Sequence, residues 1–548
     1  MSRPLPQLTP ETEFFWTAGK DGVLRFRRCA DCGARQHPPG PICRDCGSSD
    51  LAPEAVSGKG VVVGLTVNHH PWSAAFPPPY VVGIVAIDED PRIRLTTNLV
   101  GVGPSEVEVG QRVEVHFEQV EDVWLPLFAV TDLAADAPLP EEEPIASHVR
   151  PMVRADKFED KVAITGIGMS KIGRRIGVDP LALAIDACRR AVEDAGLTMA
   201  DIDGLSTYPG GPAAGGHSEG GTTALEESLR LRPTWINGAG ETPGQSGSVV
   251  AAMLAVAAGL CRHVLCFRTV WEATWADRLR SRAPSGHGGG RVEGDFMAWR
   301  APFGALSPAN WIAMNASHHF RRYGTTRAAL GTIAINARSN AARNPDAIYT
   351  DPMTMDDYLG ARMITTPFGL YDCDVPCDGS IALVVSAVDV AGDLRRRPVL
   401  VEAVGTQVID RPSWDQGTLS HEPQTQGPAA HLWSRTSLRP SDVDVAELYD
   451  GFTFNCLSWI EALGFCGIGE AGDFLSDPGR IALDGELPLN TFGGQLSAGR
   501  THGYGYLHEA VVQLRGDGGE RQVPGTEVVA VSTGGGTPGG CLLLVGGR

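Results

Sequence analysis

Residues 26–47 read FRRCADCGARQHPPGPICRDCG and place two Cys-x-x-Cys pairs, Cys29/Cys32 and Cys43/Cys46, each followed by a glycine, Gly33 or Gly47. Two such knuckles deliver four thiolates to the corners of a tetrahedron, the geometry zinc takes in structural sites. Four protein ligands leave no open coordination position, so the metal expected here is structural. The other reading of the same residues is buried free thiols or disulfides. The remaining eight of the 12 cysteines are scattered singly, which fits a reducing compartment and favours metal.

Upstream of this cluster, Phe14, Phe15, Trp16, Leu24 and Phe26 suit a short helix and a strand leading into it. Downstream, five apolar β-rich runs are separated by turn residues: Gly60–Val67, Tyr80–Ile87, Ile93–Leu99, Arg112–Phe117 and Leu125–Val130. That pattern predicts a small closed or partly closed barrel. Residues 134–159 are rich in Ala, Pro and charge without an apolar period, so they read as an extended linker. The expected division is therefore a helix and ribbon over 1–54, a barrel over 55–133, the linker, and a large domain over 160–548.

At 548 residues the chain exceeds what one core supports. Forty-six basic against 65 acidic residues give a formal charge of −19, which repels nucleic acid and anionic lipid alike. An anionic ligand then needs a small local site working against the overall field. The N-terminus lacks an apolar signal region, and the longest apolar run, Val249 to Cys261, is too short and too rich in Ala and Gly to span a bilayer. These features lead to the expectation of a cytoplasmic protein that engages neither nucleic acid nor membrane.

Beyond the linker, strand-like Val162–Gly166, helical Pro180–Ala195 and strand-like Ile202–Ser206 alternate as α/β layers do. MADIDGLSTYPG (199–210) parallels PSDVDVAELYDGFT (440–453), each setting a strand after an acidic turn, so two similar halves are expected. Gln245–Leu260, small and apolar on nearly every side, predicts a buried helix, with Val264–Phe267 a buried strand after it.

Two resemblances follow from these residues. FFWTAGKDGVLRFRRCADCGARQHPPGPICRDCGSSD (14–50) and the five-strand segment after it resemble the bacterial zinc-ribbon plus OB-fold proteins that accompany acyl-CoA enzymes, over residues 9–130. From Val162 onward the chain resembles the thiolase superfamily, most closely its sterol-carrier-protein-X and lipid-transfer-protein branch. The matching stretches are VAITGIGMSKIG (162–173), VAELYDGFTFNCLSWIEALGFCGIGEAG (445–472), LNTFGGQLSAGRTHGYGYLHEAVVQLRG (489–516) and VSTGGGTPGG (531–540). The implied fold is the duplicated α/β/α/β/α thiolase arrangement behind a zinc ribbon and a small OB barrel. The resemblance also implies a homodimer through the thiolase-like part.

A thiolase needs a cysteine nucleophile at a buried helix start, with a histidine and a second cysteine for proton transfer. Here the helix start, GAGETPGQSGS (238–248), has no cysteine, and an ungapped reading places Thr242 at or near the nucleophile. Arg500 falls at the histidine position and Ser532 at that of the second cysteine. Cys261 and Cys266 read as core residues, free cysteine being among the most buried residue types. The same resemblance lays Thr242, Gly493, Gly494, Arg500, Ser532, Gly534 and Gly535 along the thioester-binding surface.

What distinguishes this pocket is its phenols. Tyr449 stands, followed by Asp450, where this branch usually has a histidine, and Tyr504 and Tyr506, with His502, flank the Gly-rich turn that opens the last long helix. A phenol near pKa ~10 acts as a base only if a cation or helix dipole lowers it; Arg500, His502 and the helix N-terminus are the sources in view. Packing alone is the plainer role for such tyrosines.

A thiolase scaffold without its nucleophile still stabilises a thioester enolate, because an oxyanion hole acts on developing charge whichever bond breaks. The expected reaction is retro-aldol cleavage of a β-hydroxyacyl-CoA, with Tyr449 and Tyr504 as base and acid in either order. Lipid-transfer-protein aldolases, which resemble thiolases lacking the cysteine, pair with a zinc-ribbon/OB partner and shorten steroid side chains, imply the same end point. The competing expectations are a non-catalytic acyl-CoA or lipid carrier and a divergent acetyl-CoA acyltransferase with an unrecognised nucleophile.

Overall fold

The computed structural model describes residues 3–142, 148–153, 155–209, 215–218, 220–238, 240–281, 291–292, 296–411, 413–534 and 539–547. A short helix, Glu13–Trp16, precedes a three-stranded antiparallel sheet in which β1 (Arg25–Cys29) lies between β2 (Arg35–Gln36) and β3 (Leu51–Ala55). This small sheet carries the cysteine knuckles. Five strands then close into a barrel: β4 (Lys59–Asn68), β5 (Tyr80–Ile87), β6 (Asp90–Val100), β7 (Arg112–Val120) and β8 (Val123–Asp132). Around it β4, β5, β6, β8 and β7 follow in order, β7 returns to pair with β4, and only β6 and β8 run parallel. Each strand covers one of the five apolar runs, so the barrel expected from the sequence is present.

The strands are buried for two different reasons. Val62, Leu65, Val85, Leu95, Val113 and Leu125 fill the barrel. Val61, Val63, Val82 and Ile84, on the opposite faces of β4 and β5, join the core of the large unit instead. Alternation puts successive side chains on opposite faces, and with both faces covered the strand becomes a continuous apolar run. KGVVVGLTVN is such a run.

The large unit is built on a sheet of nine strands: β9 (Val162–Met169), β10 (Gly204–Thr207), β11 (Trp235–Asn237), β12 (His263–Trp271), then, after a separate hairpin of β13 (Met363–Thr365) and β14 (Phe368–Gly369), β15 (Asp378–Ala387), β16 (Val399–Gly405), β17 (Val445–Glu447), β18 (Val528–Thr533) and β19 (Gly540–Gly546). Its order is β11-β10-β12-β15-β9-β16-β19-β18-β17. Read outward from the central pair, β15-β12-β10 on one side mirrors β19-β18-β17 on the other. In each half the two outer strands of that trio run parallel; β11 adds a further parallel strand beside β10, and the other pairings are antiparallel. The duplication suggested by 199–210 and 440–453 is therefore real: β10 and β17 are equivalent strands, each preceded by a 3-10 turn, Met199–Asp201 or Pro440–Asp442.

Helices Gly247–Ala257 and Gly503–Arg515 occupy equivalent places in the two halves and pack between them. Pro180–Ala195 covers the outer face of the first half, close enough that a Cβ at Gly168 would lie 2.2 Å from Ala187 O. That approach explains the glycines of VAITGIG.

The two units are joined intimately. β13 pairs with β4 at Thr365 and Asn68, extending the barrel wall with a hairpin from the large unit. Helix Pro308–Tyr323 lies on β4, with Asn310 Nδ2 donating to Asn68 Oδ1 (3.1 Å) and Thr365 Oγ1 (3.1 Å). Residues 134–159 were expected to be an extended connection, and their described part is irregular up to Phe158 but anchored. The Glu142 carboxylate accepts from Leu419 N (2.8 Å) and Ser420 N (3.1 Å), and buried Glu159 pairs with Arg435 at 2.7 Å.

Candidate active site

Loops at the junction of the two halves gather a compact set of polar side chains. From the first half come Arg268 on β12, Glu272 just beyond it, and His217, which bridges to Val270. The second half contributes Tyr449 and Asp450 after β17, the turn 493–502, and Ser532 and Gly534 at the end of β18. Asp374 enters from the loop before β15.

Asp450 and Tyr506 lock together at the base of the site. The Tyr506 hydroxyl donates to Asp450 Oδ1 and accepts from Asp450 N (2.9 Å) and Gln495 Nε2 (3.0 Å). Asp450 accepts in addition from Gln495 N (2.7 Å) and Asn490 Nδ2 (3.0 Å). Burial raises its carboxyl to about 6 against those hydrogen bonds. Neither side chain is exposed. With their polar atoms bonded to one another, Asp450 and Tyr506 brace the turn after β17 as a scaffold.

Gly494 packs against that scaffold, and its neighbour Gly493, at φ +104°, abuts Ala341. Gly494 has φ +58°, and a Cβ there would lie 1.9 Å from Asp450 Oδ2. Ser532 Oγ is taken by Tyr449 N (3.0 Å) and fully buried. Gly534 O accepts from Gln245 Nε2 (2.6 Å); Gly535 lies outside the described residues.

Tyr504 is also wholly buried, its hydroxyl 2.8 Å from Ser248 Oγ. Burial pushes the phenols of both Tyr449 and Tyr504 upward, with Asp374 and Glu422 adding to the effect at Tyr449 against Arg500 and Gln495. Each is therefore un-ionised at neutral pH. A resting-base role is closed to both, and proton donation remains open.

The charged side chains of the site are partly exposed. Arg500 sets Nε 2.7 Å from Glu272 Oε2 and Nη1 3.2 Å from Asp374 Oδ1, and Glu272 Oε1 is 3.0 Å from His217 Nε2. Burial alone would raise the Glu272 carboxyl, but Arg500 and the imidazoles of His217 and His502 hold it well below the usual range. His502 adopts φ +55°, an uncommon conformation for a residue with a side chain. Its Nδ1 receives Arg268 Nη2 (2.7 Å) and Nε (3.2 Å). Guanidinium only donates, so the proton of this imidazole sits on Nε2. Burial and the Arg268 charge push the histidine well below its ordinary value. It is neutral, and Nε2 is its free donor among the described residues.

The helix start before Gly247–Ala257 presents no nucleophile. The Thr242 hydroxyl closes onto Gly244 O, Ser246 Oγ meets Thr533 Oγ1 at 2.7 Å, and Ser248 Oγ donates to Gln245 O (3.0 Å). The Thr242 hydroxyl thus closes a turn at the helix start. A side chain at Gly244 has no room, its Cβ falling 2.2 Å from Thr533 Oγ1. Cys261 and Cys266 are core residues as expected, burial lifting Cys261 to about 12 and Cys266 well above its usual value. Cys373 and Cys377, which the sequence did not single out, lie beside Asp374, and burial raises both well above the thiolate range.

Of the residues the sequence singled out, the fold brings Tyr449, Arg500 and His502 together. Beside them it places Arg268, Glu272, His217 and Asp374, which the sequence reading did not name. One signal was present: HVLCFRTVWE carries a lone arginine inside a buried strand with a glutamate one turn on.

In the ribbon, Cys29 Sγ and Cys46 Sγ lie 3.6 Å apart, as do Cys32 Sγ and Cys43 Sγ, with all four within 4.8 Å. A tetrahedron with metal–sulfur bonds of about 2.3 Å has an edge of about 3.8 Å, so the group fits zinc. In a second cluster, His319, His421 and Glu461, both imidazoles reach Glu461 Oε2 (3.4 and 2.6 Å), and Gly469 N and Ala471 N also donate to that carboxylate (2.8 and 2.9 Å), while buried His319 Nδ1 has no partner among the described residues. No helix among the described residues is long and apolar enough to cross a membrane.

Comparison with known proteins agrees with this architecture. Residues 16–52 match the ChsH2 rubredoxin-like zinc ribbon domain, 53–118 the ChsH2 C-terminal OB-fold domain, and 421–543 the thiolase C-terminal domain-like family. A steroid side-chain-cleaving aldolase from Thermomonospora curvata is 34% identical over 391 residues, 70% of this chain and 97% of the relative. The 17-hydroxy-3-oxo-4-pregnene-20-carboxyl-CoA lyase of Mycobacterium tuberculosis is 33% identical, covering 70% of this chain and 99% of that one. The solved Ltp2-ChsH2(DUF35) aldolase superposes with a TM-score of 0.62 at 32% identity, over 71% of this chain and 98% of that one. With its helix start bare of a nucleophile and these relatives spanned almost end to end, the chain belongs to the thiolase-fold aldolase family, carrying a zinc ribbon and an OB barrel ahead of the aldolase part.

Proposed function

We propose that this protein is a carbon–carbon lyase that cleaves β-hydroxyacyl-CoA thioesters by a retro-aldol reaction, giving a ketone or aldehyde and a shortened acyl-CoA. The names of the two relatives put bulky steroid side-chain thioesters first among substrates. The observation that carries the reading is the neutral, Arg268-anchored His502 beside Arg500 and the un-ionised phenol of Tyr449. His502 Nε2–H donates to the thioester oxygen as negative charge builds there, and a donor fixed in advance needs no reorganisation. Tyr449 O–H then protonates Cα of the enolate. Tyr504, one hydrogen bond deeper on Ser248, supports the helix start.

The test is incubation with β-hydroxyacyl-CoAs of differing bulk, read by mass spectrometry. A carbonyl product plus shortened acyl-CoA is expected, and Tyr449→Phe should lower kcat on the order of 10²–10⁴-fold. Substrate bound but returned unchanged would make the protein a carrier. A labelled acyl group left covalently on the chain would make it an acyltransferase.

Three further assignments belong to this reading. Zinc on Cys29, Cys32, Cys43 and Cys46 holds the ribbon and takes no part in the chemistry. The protein works in the cytoplasm, in keeping with twelve cysteines free of disulfides. It pairs as a homodimer through the thiolase-like part, where edge strand β11 and exposed Ile236, Leu254 and Leu260 form an apolar border.

A further inference from the structure

We propose that Asp374 is the base that removes the β-hydroxyl proton, a catalytic residue that no sequence motif pointed to. The proposal rests on the retro-aldol reading above. That reaction needs a proton acceptor, and the phenols are un-ionised. The candidates are the carboxylates around Tyr449, and three are ill placed. Asp450 is unexposed, with hydrogen bonds to Gln495, Asn490 and Tyr506. Glu272 is neutralised by Arg500 and His217 and is held too acidic to take a proton from an alcohol. Glu422 is walled in near Gly534 and Trp459.

Asp374 differs from all three. One oxygen, Oδ1, takes Arg500 Nη1 at 3.2 Å, and the side chain keeps 8% of its surface open. Among the described residues Oδ2 accepts no hydrogen bond, which leaves it available to a substrate hydroxyl. Asp374 N donates to Gly451 O (3.1 Å), tying this loop to the turn after Tyr449. Asp374 is also the charge that acts most strongly on the Tyr449 phenol. The groups around it are Arg500, Glu272, Asp450, Tyr449, Cys373 and Cys377. Burial, opposed by Arg500 and reinforced by Glu272 and Asp450, places its carboxyl at about 7, where a carboxylate combines useful basicity with a substantial ionised fraction.

In the step, Oδ2 of Asp374 takes the hydroxyl proton and the O–H pair becomes the C=O of the leaving carbonyl. The Cα–Cβ bond breaks, and its electrons pass through the Cα–C1 bond to the thioester oxygen. Collapse of that enolate takes a proton from Tyr449 O–H. Asp374 ends protonated and Tyr449 ionised, and one proton passing between them restores the resting state without any outside reagent.

The experiment compares wild type, Asp374→Asn and Asp374→Ala for cleavage, acyl-CoA affinity and thermal melting, with and without added formate. We expect kcat of both variants to fall about 10²–10⁴-fold while acyl-CoA still binds and the fold persists. Formate should restore Asp374→Ala by at least about tenfold, which a purely structural residue would not allow. The wild-type rate should fall below pH about 7, and Asp374→Asn should lack that limb. If wild type cleaves but Asp374→Asn stays within tenfold with the limb intact, or formate restores nothing, the proposal is overturned while the retro-aldol reading stands. If wild type cleaves no β-hydroxyacyl-CoA, the reading itself fails. Should both variants unfold, Asp374→Glu, which retains a carboxylate for Arg500, decides: an unchanged acid limb overturns the proposal.

Discussion

Replacing Asp415 by Asn removes the charge that neutralises Arg300 at the seam between barrel and aldolase part. Arg300 is 2% exposed, with Nη2 3.0 Å from Asp415 Oδ1, and its guanidinium lies 5.0, 5.0 and 5.4 Å from the rings of Phe296, Trp311 and Trp414. Asp415 Oδ2 accepts from the barrel's Thr96 hydroxyl at 2.8 Å. Burial works against the Asp415 charge, but Arg300 and the hydroxyls of Ser413 and Thr96 hold its carboxyl well below the ordinary range. Removing one partner of a buried pair costs about 3–5 kcal/mol, because the other charge stays buried. Asparagine keeps an oxygen for Ser413 and Arg300 but turns an amide nitrogen toward Thr96, whose hydroxyl must then accept instead of donate, and the ring contacts exist before and after. The expected loss is about 3–4 kcal/mol. Urea titration followed by tryptophan emission measures it, since Trp311 and Trp414 flank the arginine. Asp186→Asn, which breaks an exposed pair with Arg190, should stay within about 0.5 kcal/mol as the control. Asp415→Asn falling within about 1 kcal/mol of wild type would refute the claim that this pair holds the seam. The same chain segment runs on to Glu422 beside Tyr449, so cleavage should weaken along with stability.

Other outcomes follow from the same structure. His37 and His318 are buried and neutral, their values pushed down chiefly by burial to about 3 and about 4. The unfolded chain therefore binds protons first, and stability is full above about 6.5 and lost as pH falls toward those values; each should cost about 2 kcal/mol at pH 5, and His37→Phe should remove its share of the slope in urea titrations. Metal analysis should find one zinc per chain, and a strong chelator should melt the ribbon sheet, altering emission from Trp16, which stacks on Trp299 with ring centroids 4.9 Å apart; unchanged emission after metal loss would count against that role. Gly494→Ala, with φ +58° and a Cβ 1.9 Å from Asp450 Oδ2, should cost about 3 kcal/mol or more and abolish cleavage, as thermal melts and the product assay would record.

The barrel was legible because its information is local. Alternating apolar residues between turn residues mark five strands, and the four cysteines declare their geometry by spacing. The continuous burial of β4 was not foreseeable, since the second face of Val61 and Val63 is covered by a helix 250 residues later. The site divides in the same way. Tyr449, Arg500 and His502 lie in motifs of the second half, whereas Arg268, Glu272 and His217 reach them only when the duplicated halves close on each other. Spacing likewise cannot tell which phenol meets a carboxylate. Tyr449 and Tyr506 look alike in the sequence, yet only Tyr506 donates to Asp450.

The hairpin of β13 and β14 ties the leading portion of the chain to the remainder. Because Thr365 continues the wall that Asn68 belongs to, neither portion is complete by itself. Severed near residue 150, the leading fragment would expose a raw strand margin open to self-association, and the remainder would uncover the flank of helix Pro308–Tyr323. Carrying both interlocking pieces on one chain fixes them at equal numbers and removes the search of one for the other.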